Sequence, residues 1–283
     1  MKNLFLIFFI IFLAACSQPK NEKSLIVYCS VDEIWSAPLF DKFTEITGIK
    51  IKTVYDSEAN KSVGLANRLI AEKDNPVADI YWSGEPLQSE RLVKAGVAKN
   101  HNLLGSSNIR IPVSYRQRVF VVNTNKLADV KKFPKSVFDL TNKLIKGQAA
   151  MANPNFGSTL YHFTTLRNRL GDKDFSIFNN NLKKNNVKVF AGNSQVVLQV
   201  ANGNYSVGLT DNDDAQREIA KGAPIIMIGT GEFFPYELLV IKTDKMEEIK
   251  KFVDFMLGDF AQNELHNKPP FNYKVSEVVK KIK

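Results

Sequence analysis

Short β-rich runs alternate with helical patterns over the first part of the chain. The runs are residues 25–28, 49–55 and 78–82, and the helical patterns between them cover residues 38–47, ending at Gly48, and residues 62–73. In the first helical pattern Leu39, Phe43 and Ile46 recur at the spacing of one helix face. Strands that take turns with helices in this way are typical of an α/β fold with parallel strands and crossover helices.

A second block of the same kind follows a long β run at residues 118–123. It has strand patterns at residues 149–153, 187–191 and 206–210, and helical patterns from residue 158 and over residues 194–202. A β run at residues 237–241 and a helical pattern at residues 245–257 then return the chain to the first block. Two crossings, near Arg118 and near Pro235, predict two lobes joined by a two-stranded hinge. The expected lobes are residues 25–117 plus 235–283 and residues 118–234.

Polar loops follow the predicted strands of both blocks, and in open α/β sheets ligands bind outside the carboxyl ends of the strands. We therefore expect these loops to form the two walls of a cleft. Their acidic residues are Asp32, Glu33, Asp56, Glu58 and Glu85 on one wall and Asp211, Asp213 and Asp214 on the other. Carboxylates from two walls suit a hard cation such as Fe(III), Ca(II) or Mn(II). The expected metal ligands are Glu58, Glu85, Asp211 and Asp213. The alternative is that several of these acids cap helices.

Two arginines and several predicted helix starts could bind an anion rather than a cation. Arg116 and Arg118 are two residues apart on the crossing strand and share a face, from which a guanidinium can hold a carboxylate, phosphate or carbonate. An interlobe salt bridge to one of the acids is the alternative. Helix N-termini, whose free amides bind oxyanions, are predicted at Ser158 and Thr159 and at Ser194, although serine is also a common plain cap. The remaining expected ligand contacts are Ser30, Asp32, Tyr55 and Asn153, near strand ends of the two walls.

The composition argues against several function classes. The chain has 283 residues and a formal net charge of +9, but its lysines are spread out except for residues 280–283. A nucleic-acid site needs a concentrated basic patch with interleaved aromatics. The three histidines show no metal-ligand spacing, and neither a Gly-x-Ser-x-Gly nor a Gly-x-x-x-x-Gly-Lys motif occurs. The sequence therefore predicts that the protein is not an enzyme, although a hydrolase that uses the cleft carboxylates stays formally possible.

The N-terminal segment predicts export and a lipid anchor. Residues 4–15 form an unbroken apolar run after Lys2, about half the length that spans a bilayer, which is typical of a signal-peptide core. The run ends in Leu-Ala-Ala-Cys and resembles the lipobox of bacterial lipoproteins, so residues 1–15 are the expected signal peptide and Cys16 the expected lipidation site. Residues 16–24 are polar and predict a flexible tether. The expected location is the periplasmic or extracellular face of a membrane; the alternative to a signal peptide is a short buried helix.

The ordered combination of segments resembles periplasmic solute-binding proteins of the ferric-iron-binding type. The similar stretches are residues 25–28, 43–50, 78–82, 116–124, 193–194 and 252–257. The resemblance implies a two-lobed α/β fold of the periplasmic-binding-protein type II class. It also implies a monomer that delivers its solute to an ABC permease and an ATPase subunit. Fe(III) is the implied transported ligand, with no resident cofactor and with a synergistic anion near Arg116 or Arg118.

The sequence departs from the ferric-binding pattern at one loop. In ferric-binding relatives two adjacent tyrosines follow the strand that corresponds to residues 207–209. Here residues 210–214 read Thr-Asp-Asn-Asp-Asp, and no Tyr-Tyr pair occurs in the chain. Either carboxylates replace the phenolate ligands or the solute differs, so the same architecture with an organic solute such as a phosphonate or polyamine is an alternative. A surface lipoprotein with enzymatic or adhesive function is the alternative from a different class.

Overall fold

The computed structural model describes residues 23–55, 63–103, 109–155, 157–242, 244–268, 273–274 and 278. The expected signal peptide, Cys16 and Glu58 fall outside these residues, so the lipid anchor and that metal ligand stay predictions. Within the described ranges, no helix is long and apolar enough to cross a membrane. Every element and core cluster given below lies between residues 24 and 278. A chain that starts at Ser17 therefore retains the whole described fold.

Eight strands of the described chain form one mixed sheet with the order β2-β1-β3-β8-β4-β7-β5-β6. They are β1 Ser24–Cys29, β2 Lys50–Tyr55, β3 Ile80–Ser83, β4 Arg110–Asn123, β5 Ala149–Ala152, β6 Lys188–Phe190, β7 Val207–Asp211 and β8 Ile225–Val240. Parallel pairing within β1 to β3 and within β5 to β7 confirms the predicted α/β blocks. Strands β4 and β8 instead run antiparallel to their neighbours, which makes the sheet mixed. Ser24, which was predicted to belong to the tether, is the first residue of β1.

Nine α-helices lie in the described ranges and cover both faces of the sheet's two halves. They are α1 Glu33–Thr47, α2 Val63–Ala71, α3 Pro86–Lys94, α4 Gly157–Leu170, α5 Asp172–Lys184, α6 Asn193–Ala201, α7 Asn212–Ala220, α8 Met246–Leu257 and α9 Asp259–His266. Three short 3₁₀ helices, Val130–Lys132, Val137–Thr141 and Lys143–Ile145, lie between β4 and β5. Helices α3, α5, α7 and α9 were not among the predicted elements.

Helix α1 ends where predicted but buries a slightly different face. Gly48 adopts a left-handed conformation with a φ of 70°, and its backbone N–H donates to the Thr44 carbonyl, which terminates the helix. Leu39 and Phe43 are buried as predicted, whereas Ile46 is 60% exposed. Ile46 lies in the last turn, where the chain reverses at Gly48 and leaves the side chain in solvent.

The long strands β4 and β8 form the two-stranded crossing that the sequence predicted. They pair from Arg110 and Leu239 at one end to Asn123 and Ile225 at the other. Each of the two strands therefore runs from the half of the sheet that contains β1 to β3 to the half that contains β5 to β7. The pairing register shifts between Gln117 and Val119, which is the level of the predicted crossing. One large core cluster joins β1, β3, α1 and α8, and another joins β5, β7, α4 and α5. The residue bounds of the two lobes stay a prediction.

Candidate functional site

A cleft of about 950 Å³ is lined by residues from both groups of strands. Its first wall is Ser30, Val31, Asp32, Ile34, Trp35, Gly84 and Glu85; its second wall is Gly157, Ser158, Gly192, Asn193, Ser194, Asp211, Asp213, Asp214, Gln216, Arg217 and Ala220; Arg116 and Tyr236 come from the crossing strands. The starts of five helices, α1, α3, α4, α6 and α7, therefore meet at this cleft. Ser30, Gly84 and Asp211 lie at the carboxyl ends of β1, β3 and β7, as the sequence predicted for the binding loops.

A buried ion pair forms the floor of the second wall. Arg118 Nη1 donates to Asp211 Oδ1 at 2.6 Å, and the two side chains are 0% and 2% exposed. The guanidinium also donates to Ser158 Oγ, Asn193 Oδ1 and Thr159 Oγ1 at 3.1–3.3 Å. Burial alone would raise the pKa of Asp211, but the charges of Arg118 and Arg116 outweigh it and lower that pKa below its usual value. Asp211 is thus ionised, and the network ties α4 and α6 to the sheet.

Arg116 occupies the boundary between this network and the open cleft. Its Nη1 donates to Asp211 Oδ2 at 3.3 Å, and its Nη2 donates to the hydroxyl of Tyr236. The guanidinium carbon also lies 4.9 Å from the ring centroid of Tyr236. The side chain keeps 17% of its surface exposed, and it lines the cleft. Arg116, unlike Arg118, can therefore present positive charge to a solute.

Four of the five helices that begin at the cleft have no side-chain cap. The N-cap residues are Asp32 of α1, Glu85 of α3, Gly192 of α6 and Asp211 of α7, and none accepts a capping hydrogen bond through its side chain. The first amides of a helix have no partner within the helix and carry a positive field. Asp32, Glu85 and Asp211 therefore do not cap these helices through their side chains, although capping was the alternative role for the acids. The starts of these four helices therefore bring their positive field to the cleft, where helix-start amides can bind an oxyanion.

The start of α7 concentrates carboxylates at the cleft. One oxygen from each of Asp211, Asp213 and Asp214 lies within 4.8 Å of the others. Asp214 Oδ1 accepts from Ser194 Oγ at 2.6 Å and from Arg217 Nη2 at 2.8 Å, whereas Asp213 Oδ1 is buried with no hydrogen-bond partner among the described residues. Burial raises the pKa of Asp213 to about 6 despite the opposing charge of Arg116, with Asp211 adding to the rise.

Replacing Asp213 with asparagine is expected to raise the free energy of unfolding by about 3 kcal/mol at pH 8 and to change it little at pH 4. The unfolded carboxyl releases its proton near pH 3.9, whereas the folded carboxyl holds it until about pH 6. The native protein therefore loses stability as the pH rises from about 4 to about 6, and the asparagine variant does not. Urea unfolding at a series of pH values checks this, with the exposed Asp74→Asn as the control. An equal change for the Asp213 variant at pH 4 and pH 8 would contradict the proposed titration.

The structure brings most of the predicted ligand residues together. Ser30, Asp32, Glu85, Arg116, Ser158, Ser194, Asp211 and Asp213 line the cleft, while Thr159 and Arg118 lie directly behind it as partners in the buried network. Two other predicted residues belong neither to the cleft lining nor to this network. Tyr55 accepts a hydrogen bond from Ser36 beneath α1, and Asn153 accepts from the backbone N–H of Asn155 within its own loop. Arg118 pairs with Asp211 of the same expected lobe, so this contact is not the interlobe salt bridge that was the alternative to anion binding. Arg116, in the other expected lobe, does pair with Asp211, at 3.3 Å.

Sequence reasoning missed two groups of cleft residues. Gln216 and Arg217 were missed because α7 was not predicted. The only sequence signal was weak: Ala215, which the helix buries, is one of the few apolar residues in that segment. Asn193 was noted as a helix start, but not as a donor to Asp211 Oδ2 at 3.0 Å. That contact joins residues 18 apart in sequence, and no spacing rule predicts it.

Comparison with known proteins identifies the family. Residues 30–268 match the model of the bacterial extracellular solute-binding protein family. A putative 2-aminoethylphosphonate-binding periplasmic protein of Salmonella typhi is 27% identical over 276 residues, which are 88% of this chain and 78% of that protein.

Solved structures share the fold. Iron-bound HitA from Pseudomonas aeruginosa has a TM-score of 0.73 at 20% identity, covering 90% of this chain and 92% of its own. The periplasmic binding protein AfuA from Actinobacillus pleuropneumoniae, with fructose-6-phosphate bound, has a TM-score of 0.68 at 20% identity, covering 91% and 86%. The fold is thus the two-lobed α/β fold of periplasmic binding proteins, as the resemblance implied. The chain belongs to the bacterial extracellular solute-binding protein family, whose members bind small solutes and work with ABC permeases.

Proposed function

We propose that this protein captures a small phosphonate or phosphate ester that also carries an ammonium group, and delivers it to an ABC permease. The observation that carries the proposal is the convergence of uncapped helix starts on one cleft beside Arg116. Free amides and a guanidinium are the groups that bind phosphoryl oxygens. The relative named as binding 2-aminoethylphosphonate supports this class of solute.

The carboxylates of the cleft account for the ammonium group. Asp32 and Glu85 line the first wall and Asp213 lines the second, so a solute with only negative charge would meet repulsion from both sides. A zwitterion pairs its anionic end with the amides and Arg116, and its cationic end with a carboxylate. Closure of both walls on one solute would then satisfy groups that the open cleft leaves in water.

Fe(III) is the second candidate, because three carboxylates of α7 lie within reach of one ion. Two features make Fe(III) a less favoured solute than the zwitterion. Both oxygens of Asp211 already accept hydrogen bonds from arginine, and the paired tyrosines of ferric-binding relatives are missing from the sequence. An iron site here would have to break the buried ion pair or rely on Asp213 and Asp214 with ligands from the first wall.

Thermal unfolding of the chain from Ser17 onward, stripped of solutes, tests the proposal. A solute at 100 times its Kd adds about 2.7 kcal/mol to the free energy of unfolding, so a specific ligand raises the Tm clearly. We expect a shift with 2-aminoethylphosphonate and a much smaller one with ethylphosphonate, which differs only in lacking the ammonium group. Fe(III) citrate, citrate alone and spermidine complete the screen. A Tm increase with Fe(III) citrate, and none with citrate alone or with any phosphonate, would contradict the proposal and favour Fe(III) as the solute.

A further inference from the structure

A lysine-rich surface lies on the connection between β4 and β5, away from the cleft. It consists of Lys131, Lys132, Lys135, Lys143 and Lys146, all exposed, on the three short 3₁₀ helices and the turns beside them. The connection enters the amino end of β5, whereas Ser158 and Asp211 of the cleft follow the carboxyl ends of β5 and β7. The lysine surface is therefore at the opposite end of this half of the sheet and takes no part in the solute site.

The acids of this connection do not neutralise the lysine surface. Residues 129–146 contain five lysines and two aspartates, a net charge of +3. Asp129 accepts from the backbone N–H of Lys131 at 3.0 Å and pairs with Lys132 at 3.6 Å. Asp139 accepts from the backbone N–H groups of Lys135 and Ser136 at 2.7 and 2.9 Å. Both carboxylates thus cap short helices, and the positive charge of the surface faces outward.

Large apolar side chains stand exposed among these lysines. Val130 and Leu144 are each 67% exposed and Phe138 is 42% exposed. A concavity of about 230 Å³ is lined by Lys131, Lys132 and Lys135 together with Leu144. Clustered lysines supply electrostatic attraction to an anionic surface, and exposed apolar side chains beside them add a hydrophobic contribution to the same contact. Single apolar side chains within a lysine cluster are the pattern of segments that lie on membrane surfaces.

We propose that the lysine surface docks on the headgroup layer of a membrane that contains anionic lipids. Lysine ammonium groups are attracted to a plane of phosphates, and Val130 and Leu144 can enter the boundary between headgroups and acyl chains. Charge complementarity favours lipid over a protein partner, because lysine is depleted from protein interfaces and their cores exclude charge. Docking would hold the protein beside its membrane through a second contact that does not depend on lipidation at Cys16.

Vesicle sedimentation of the chain from Ser17 onward, which lacks the expected lipid site, tests this proposal. The probes are vesicles of phosphatidylcholine alone and with an equal share of phosphatidylglycerol, at low and at physiological salt. We expect binding to the anionic vesicles only. The triple variant Lys131→Glu, Lys132→Glu, Lys135→Glu should lower the partition coefficient at least about tenfold. The matched variant Lys52→Glu, Lys73→Glu, Lys94→Glu changes the net charge equally on the other half and should bind much more strongly than the first.

A second variant tests the apolar contribution without changing charge. Val130→Ser with Leu144→Ser removes two exposed side chains, so the fold should be kept while vesicle binding falls several-fold. Equal losses in both lysine variants would mean that net charge alone attracts the protein, and would overturn the proposal. So would failure to bind anionic vesicles, competition by inorganic phosphate at constant ionic strength, or binding to polyglutamate without binding to vesicles.

Discussion

Replacing Arg118 with methionine is expected to lower the free energy of unfolding by about 3 kcal/mol. The guanidinium is 0% exposed and donates to Asp211, which is 2% exposed, so the variant leaves a buried carboxylate whose remaining cationic partner is Arg116, at the longer distance of 3.3 Å. It also leaves Thr159 and Asn193 without their arginine donor. Urea unfolding at pH 7.5, followed by circular dichroism, measures the loss.

Two further variants show whether the buried charge is the cause. Arg167→Met breaks an ion pair with Asp172 in which both side chains are more than half exposed, and it should change stability little. Arg118→Met combined with Asp211→Asn should be more stable than Arg118→Met alone, because no unpaired charge is left in the core. If the double variant is as unstable as the sum of the two single variants, packing rather than charge would explain the loss.

Replacing Arg116 with methionine is expected to weaken 2-aminoethylphosphonate binding about 30-fold or more. Arg116 is the arginine of the crossing strands that lines the cleft, and a guanidinium hydrogen-bonded to a phosphoryl group is difficult to replace. Arg116→Lys should recover part of the affinity, since it keeps the charge but loses the forked geometry. Isothermal titration calorimetry of the three proteins provides the measurement.

The Arg116 variants also separate the two candidate solutes. If the solute is Fe(III) held by carboxylates alone, with no anion on Arg116, removing the positive charge beside Asp211 and Asp213 should strengthen metal binding. Weaker phosphonate binding therefore supports the proposed function, whereas unchanged phosphonate binding with tighter Fe(III) binding would support the iron alternative. Arg167→Met, which removes an exposed arginine that pairs with Asp172 and does not line the cleft, is the matched control.

Much of the fold was predictable because it depends on local pattern. The strands at β1, β5 and β7 are short buried runs and α8 carries a clear apolar stripe, so their positions were predicted to within a few residues. The end of α1 was predicted from Gly48, but the helix begins at Glu33, before the predicted start at residue 38. The first part of β4 was missed because Arg110, Ser114 and Arg116 interrupt its apolar residues. Arg110 and Arg116 pair with Glu237 and Tyr236 of β8, which returns from more than one hundred residues away.

Helices at the cleft were missed for a related reason. Helices α3 and α7 have nine residues each and bury only three side chains each, some of them polar, so few apolar residues mark these helices in the sequence. Neither helix start has a capping side chain, so no capping residue marks it in the sequence. The sequence therefore read Glu85 and Asp213 as loop acids, and only the structure assigns them to helix starts.

The sequence by itself determined the α/β blocks, the crossing at Arg118 and the loops that line the cleft, because strand and helix periodicity and chain order are local properties. The tertiary structure alone decided which polar residues meet. It placed Arg118 in the core with Asp211, left Arg116 at the cleft, and moved Tyr55 and Asn153 away from it. Arg116 and Arg118 share a strand and a charge, so only the packing of α4 and α6 against that strand separates a structural arginine from one that can bind solute.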